Sequence, residues 1–333
     1  MIFPKSIYKK IEKAFYTKLF NACGYNANKT LIEQLANEVD VHDEIDAEMK
    51  KATKLLIRKI FQTTDSVLKM EHKSTNMFLY NQYNKWGKCF DLYELFSILS
   101  LKFASRYNQR VNSLKAGIDN KVKFRFVAIK ELHGRACQIF AEILCLIKNG
   151  YADGAYARWR TLYEIMIVAS FIKEEGEIAA KAFIDASFNE AKDYMWAKKV
   201  KQFEKFKRVT FKDIENTCNY NKGWLREYKT ACKAVHASAE GTFCRLANRE
   251  ATGTILVGRS DYGVDVPATH ACTTLSIING EFLTIIPDFN TLVELYCLTV
   301  LRKSVVKAFN DAEKEIFGGS NKCKVTKINP ALI

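Results

Sequence analysis

The stretch Lys121-Val-Lys-Phe-Arg-Phe-Val-Ala-Ile-Lys-Glu-Leu-His-Gly-Arg-Ala-Cys-Gln-Ile-Phe-Ala-Glu-Ile-Leu-Cys-Leu-Ile-Lys148, then Asn149-Gly150-Tyr-Ala-Asp153, then Gly154-Ala-Tyr-Ala-Arg-Trp-Arg-Thr-Leu-Tyr-Glu-Ile-Met-Ile-Val-Ala-Ser-Phe-Ile-Lys-Glu174, decides the fold. In its first part Val127, Leu132, Ala136, Ile139, Phe140, Ile143, Leu144 and Ile147 share one broad apolar face at helical spacing. A helix of this length is about 42 Å long at about 1.5 Å per residue. Asn149-Gly150 is a C-terminal stop and Asp153 an N-cap, so the spacing predicts a second helix over 154–174 that turns straight back. Gly176 ends it, and a third helix is expected over 177–207. Short connections make the three antiparallel neighbours.

Outward from this centre, residues 5–22 read as a short amphipathic helix ended by Gly24, and a second helix runs from Asn28 to Lys69. The polar and aromatic stretch His72–Lys88 reads as a linker, with a further helix from Phe90 to Leu114. Downstream, Lys222–His236 forms a shorter helix. Gly253–Val257 and Tyr262–Val266 pair as a small β-hairpin across Gly258-Arg-Ser-Asp, Pro267 opens another helix, and Asn290–Ile316 forms the last long one. The expected class is all-α: an antiparallel helical bundle with a small β-hairpin insertion and an N-terminal helical extension. Its expected parts are residues 1–118, a bundle over 119–318 and a basic tail over 319–333.

Charge narrows the partners. The chain of 333 residues carries 51 Lys and Arg against 37 Asp and Glu, a net charge of +14, which favours polyanions: RNA, DNA or an anionic membrane surface. From Lys102 to Arg135 nine basic residues face two acids, and from Glu190 to Lys233 twelve face six. Between Thr30 and Met49 the sign inverts, with seven acids and no Lys or Arg. A solvated helical face explains each run by itself. Opposite-sign blocks in one chain also suit self-association, or an arm folded over a basic surface. The 10 cysteines contain no CxxC pair, the pattern of reduced thiols in a cytosolic protein. The N-terminus lacks a signal peptide's apolar core and the longest apolar run is too short to span a bilayer, so a cytoplasmic protein is expected.

Chemistry has few candidates. Arg160 and Glu164 stand one turn apart on one helix face, in surroundings so apolar that either would be costly buried alone. They are either a structural ion pair or a phosphate-binding arginine with an orienting carboxylate. His236 closes the helix Tyr228-Lys-Thr-Ala-Cys-Lys-Ala-Val-His-Ala-Ser238 among small residues, so it is either a capping or core histidine or a general base open to a ligand. Lys229 and Lys233 precede it by about two turns and one turn and add positive charge. His133, beside Glu131 and Arg135, is a weaker cluster, and His42, His72 and His270 have no convergent partners in sequence. Walker, GxGxxG, HExxH, GxSxG and Asp-rich metal motifs are absent, so neither metal nor cofactor is expected.

The run from Arg135 through Arg160-Thr-Leu-Tyr-Glu164 to Val235-His-Ala-Ser238 and Gly241 resembles a family of uncharacterised bacterial helical proteins. That family is loosely similar to the HEPN bundles (higher eukaryote and prokaryote nucleotide-binding), and the resemblance covers residues 120–310. It implies a homodimer that binds RNA, rather than DNA, and cleaves it without metal in a phage-defence or toxin system. On this sequence it implies His236 as general base, Arg160 on the phosphate and Glu164 orienting one of them, with Tyr228, Lys229, Lys233 and Ser238 lining the substrate. HEPN nucleases place four to six residues between Arg and His. Here Arg226 precedes His236 by nine intervening residues, and the basic residue with six intervening is Lys229, so Arg160 has to supply the guanidinium. The alternative is a non-catalytic scaffold whose basic faces hold nucleic acid or an acidic protein.

Overall fold

The computed structural model describes residues 5–23, 28–114, 117–189, 194–218, 222–236, 238–243, 245–247 and 257–318. Its helices are α1 (Lys5–Cys23), α2 (Lys29–Glu38), α3 (His42–Asn112), α4 (Lys123–Lys148), α5 (Ala152–Glu175), α6 (Glu177–Ala186), α7 (Phe211–Thr217), α8 (Lys222–Val235), α9 (Ala239–Phe243), α10 (Asp265–Leu283) and α11 (Phe289–Phe317). The chain divides into two units, Met1–Asn76 and Met77–Ile333.

In the first unit the expected helix from Asn28 to Lys69 is interrupted. Asn28 caps α2 by accepting the Leu31 N–H at 2.9 Å, as its side chain suggests. The helix then stops at Val39, which is extended, and restarts where Asp40 accepts the His42 N–H at 2.8 Å. An aspartate reads as neutral in a periodicity count, yet its side chain competes for backbone N–H groups and starts helices.

In the second unit α5 is the hub. Residues 165–172 are buried without interruption, so this helix is covered on all sides. It packs against α4, α6, α8 and α10. Trp159 donates from Nε1 to Thr274 Oγ1 at 2.9 Å, and Tyr93 of α3 stacks on Phe140 of α4 with ring centroids 3.9 Å apart. Helix α5 begins at Ala152, one residue before the expected cap. Asp153 turns away to accept the backbone N–H groups of Leu246 and Ala247 at 2.8 and 3.4 Å.

Three further expectations are corrected. Residues 72–88 are no linker: they lie inside α3, where Trp86 is fully buried and Gln82 donates to the Ile147 carbonyl at 3.1 Å. The inward stripe is Gln82, Trp86, Phe90 and Tyr93, and the amide at its start disguised the periodicity. The expected helix over 177–207 ends at Ala186. Residues Met195–Lys199 and Lys201–Phe203 form 3₁₀ turns instead, burying Ala197, Val200 and Phe203, which are spaced by three as that helix requires.

The β-hairpin is the third. Most of Gly253–Val257 lies outside the described residues, no strand occurs among those described, and Tyr262–Val266 leads into α10. This segment spends its hydrogen bonds on the bundle. Ser260 N–H reaches the Gly150 carbonyl at 2.9 Å, Arg259 Nη1 the Asn149 carbonyl at 3.1 Å, and Trp86 Nε1 the Asp261 carbonyl at 3.0 Å. Backbone groups already paired with the α4–α5 turn are not free for a ladder. No helix among the described residues is long and apolar enough to cross a membrane, and the eight described cysteines are free thiols.

Candidate functional site

Helix α5 presents Arg160 and Glu164 on the side facing α8. The i,i+4 spacing brings Arg160 Nη2 within 3.1 Å of Glu164 Oε1, with both side chains about three-quarters covered. Tyr228, from the inner face of α8, donates its hydroxyl to the same Oε1 at 2.8 Å. The guanidinium stands 5.8 Å from the Tyr228 ring centre, a cation–π arrangement. Tyr228, then Glu164, hold the Arg160 guanidinium more firmly protonated than a free arginine. Arg160 Nε is a buried donor with no hydrogen-bond partner among the described residues.

Aromatic and acidic neighbours extend this network. Tyr163 stacks on Tyr228 with centroids 4.9 Å apart and donates to Glu215 Oε1 of α7 at 2.9 Å. Burial pushes both phenols well above the usual tyrosine range, so both remain neutral donors. Burial also raises the Glu215 carboxyl, against the opposing pull of Tyr163 and of Lys229.

A second cluster joins α5, α8 and α10, outside the residues singled out from the sequence. Tyr156 donates to Glu227 Oε2 at 3.0 Å, and His270 Nε2 lies 3.5 Å from that oxygen. His270, isolated in sequence, therefore has a carboxylate partner. Its Nδ1 is 2.6 Å from the Val266 carbonyl, which can only accept, so Nδ1 carries a proton. The imidazole and the Tyr156 hydroxyl draw the Glu227 carboxyl below its usual range. The one available sequence signal was the aromatic series Tyr156, Trp159, Tyr163 along α5, to which Trp224 and His270 add edges and faces.

The remaining candidates lie along α8. His236 is exposed in the turn after the helix and donates its N–H to the Cys232 carbonyl at 3.2 Å. It stands eight residues past Tyr228, about 12 Å along the axis. Arg226, Lys229, Lys233 and His236 are all exposed and fall at i, i+3, i+7 and i+10, one stripe about 15 Å long. The inner face of the same helix holds Tyr228 and the fully buried Ala231. Lys233 pairs with Glu240. Ser238 Oγ accepts the Gly241 N–H at 3.0 Å and donates to the Lys233 carbonyl at 3.3 Å, closing the α8–α9 turn. Gly241 is required there, because a Cβ would sit 1.9 Å from the Lys233 carbonyl oxygen.

The structure thus brings Arg160, Glu164 and Tyr228 into one network, sets Lys229, Lys233 and His236 on the solvent side of α8, and gives Ser238 a turn-closing role. His133 belongs to the core: buried, with Nε2 2.7 Å from Asn279 Oδ1 and its pKa pushed down to about 4 by burial. The described residues contain no His, Cys, Asp and Glu group able to hold a metal ion.

A family model described as a family of unknown function (DUF5677) matches residues 126–205. The matched segment contains Arg160 and Glu164 and stops short of α8. It agrees with the resemblance at the level of an uncharacterised family. No curated protein and no solved structure matches the chain.

Proposed function

We propose that this chain binds RNA along the solvent face of α8, and the observation that carries this reading is the exposed stripe Arg226, Lys229, Lys233, His236. Cations spaced along one helix face meet successive phosphates of a flexible strand and release their counterions, which is the main driving force of such binding. The net charge of +14 adds a long-range attraction of the same sign.

The resemblance to HEPN bundles extends the proposal to cleavage. His236, exposed at the end of the stripe, takes the proton of a 2′-hydroxyl. The freed oxygen attacks the adjacent phosphorus, and the 5′-oxygen leaves with a proton from solvent. Arg160, whose side chain keeps 29% of its exposure, holds the phosphate, with Glu164 and Tyr228 orienting it. A specific observation favours the non-catalytic alternative: Arg160 is already engaged by Glu164 and Tyr228, while His236 stands about two turns beyond Tyr228.

Fluorescence anisotropy with a labelled single-stranded RNA tests binding. Affinity is expected to fall steeply with salt, and Lys229→Ala with Lys233→Ala to reduce the log–log slope by roughly 0.7 for each phosphate that is no longer neutralised. A salt-independent affinity, or an unchanged slope in the double variant, overturns the reading. RNA integrity on overexpression separates the two finer versions. Fragmentation that disappears in His236→Ala supports cleavage, and intact RNA with retained binding supports the scaffold.

A further inference from the structure

Between Lys198 and Lys212 the chain carries seven basic residues against one acid, Glu204. This part of the basic run lies off α8, in the 3₁₀ turns and the segment that leads into α7. Its backbone is fixed from inside. Ala197, Val200 and Phe203 are buried, and Val209 beyond them is fully so. Phe203 stacks on Phe171 of α5 with ring centroids 5.8 Å apart, and Trp196 meets the same ring edge-on at 5.8 Å. With the inward places taken by apolar residues, Lys199, Lys201, Lys205 and Lys207 are left exposed.

Two features separate this segment from an ordinary solvated face. The first is its uncompensated charge. Several lysines elsewhere in the second unit have carboxylate partners, as Lys85 has Asp261, Lys148 has Glu94 and Lys173 has Glu281. The four segment lysines have none within ion-pair distance among the described residues. The second is Phe206, which stands between Lys205 and Lys207 in sequence, is 41% exposed, and packs edge-on against Phe203 at 5.2 Å. A ring propped on the core and open to water, with a cation on either side in sequence, offers what an unpaired nucleic-acid strand requires: a face for a base and charges for the phosphates. An isolated phosphate would have no use for the ring.

We propose that this segment is a second part of the RNA-binding surface, on which Phe206 stacks a base while Lys199, Lys201, Lys205 and Lys207 hold phosphates of a single strand that runs on to the α8 stripe. This rests on the RNA reading of α8. Helix α7 joins the two surfaces. The Phe211 ring at its start lies 5.9 Å from Tyr194, just before the segment, and 5.4 Å from Tyr228 of α8. The Glu215 carboxyl feels both Lys212, at the end of the segment, and Lys229, in the stripe. The substrate class narrows accordingly to an unpaired strand long enough to cover both surfaces, held by base stacking and therefore tolerant of sequence.

Fluorescence anisotropy of the full chain with labelled oligouridylates of about 6 and about 18 nucleotides, at fixed salt, tests it. The longer strand is expected to bind more tightly, to lose affinity at least about 5-fold in Phe206→Ala, and to keep it in Phe206→Tyr. Lys201→Gln with Lys205→Gln and Lys207→Gln should lower its log–log salt slope by roughly 0.7 for each phosphate no longer neutralised, with the melting transition unmoved. Irradiation of a 4-thiouridine strand should cross-link the peptide that contains Phe206, identified by mass spectrometry, which a merely structural ring would not give. Unchanged affinity and slope in these variants, with binding still weakened by Lys229→Ala and Lys233→Ala, overturn the second surface and leave the α8 reading in place. Loss in the segment variants alone takes α8 off the path and overturns the joined surface. A wild type that binds no RNA, whether or not it binds phosphatidylserine vesicles, overturns both.

Discussion

Replacing Tyr228 by phenylalanine removes one oxygen and keeps the ring that stacks on Tyr163 at 4.9 Å. The group removed is the donor to Glu164 Oε1 at 2.8 Å, beside the Arg160 ion pair at 3.1 Å. A hydrogen bond to a charged acceptor contributes about 1.5–3 kcal/mol when the acceptor would otherwise go unsatisfied. The Glu164 side chain keeps 25% of its exposure and retains Arg160, so water replaces part of the loss. The expected cost is therefore about 1 kcal/mol, or a melting temperature lower by about 2–4 °C in a unit of this size. The assay is a double-mutant cycle with Glu164→Gln, read from denaturant midpoints. Coupling of about 1 kcal/mol is expected between Tyr228→Phe and Glu164→Gln, because one change removes the donor and the other the charge of its acceptor. Tyr163→Phe, whose hydroxyl goes to Glu215 at 2.9 Å, should couple to Glu215→Gln and far less to Glu164→Gln. If Tyr228→Phe and Glu164→Gln add within about 0.3 kcal/mol, the network is a coincidence of placement and the reasoning fails.

Other consequences are as direct. Glu164→Gln leaves the Arg160 guanidinium without its carboxylate, so RNA affinity at low salt should rise several-fold; no change would remove Arg160 from the binding face. Trp86→Ala should cost about 3–5 kcal/mol, as for a buried core tryptophan, because Trp86 is fully buried within α3; a loss under about 0.5 kcal/mol would restore the linker reading. Burial holds the folded-state pKa of His133 at about 4, below the unfolded value of 6.5, so the unfolded chain binds the extra proton. Its contribution, about 3 kcal/mol, is full above pH 6.5 and is lost as pH falls toward 4; a His133→Gln variant showing the same acid slope would refute this. Gly241→Ala forces a Cβ to 1.9 Å from the Lys233 carbonyl oxygen and should lower hydrogen-exchange protection across α8 and α9, against unchanged protection in α5.

How far sequence reached can be seen residue by residue. The antiparallel centre was legible because α4 and α5 carry an uninterrupted helical period and a glycine stop at Gly150, both local quantities. The Arg160–Glu164 pair was legible for the same reason, since i,i+4 neighbours on a helix meet whatever surrounds them. Tyr228 was named as a contact beside His236, yet its partner turned out to be Glu164, across a gap of 64 residues.

What only the tertiary structure decided are the places where a non-local partner overrides local preference. Residues 72–88 look like a linker until Gln82 finds the Ile147 carbonyl and Trp86 a pocket. Residues 257–264 look like half a hairpin until the Ser260 N–H is taken by the Gly150 carbonyl and the Arg259 side chain by Asn149. Glu227 and His270 are 43 positions apart and carry no spacing signal, because their meeting depends on how α8 and α10 pack on α5. Local geometry is set by neighbours along the chain and can be read there. Burial, and the pairing that burial demands of every polar group, is set by residues the chain brings back from far away.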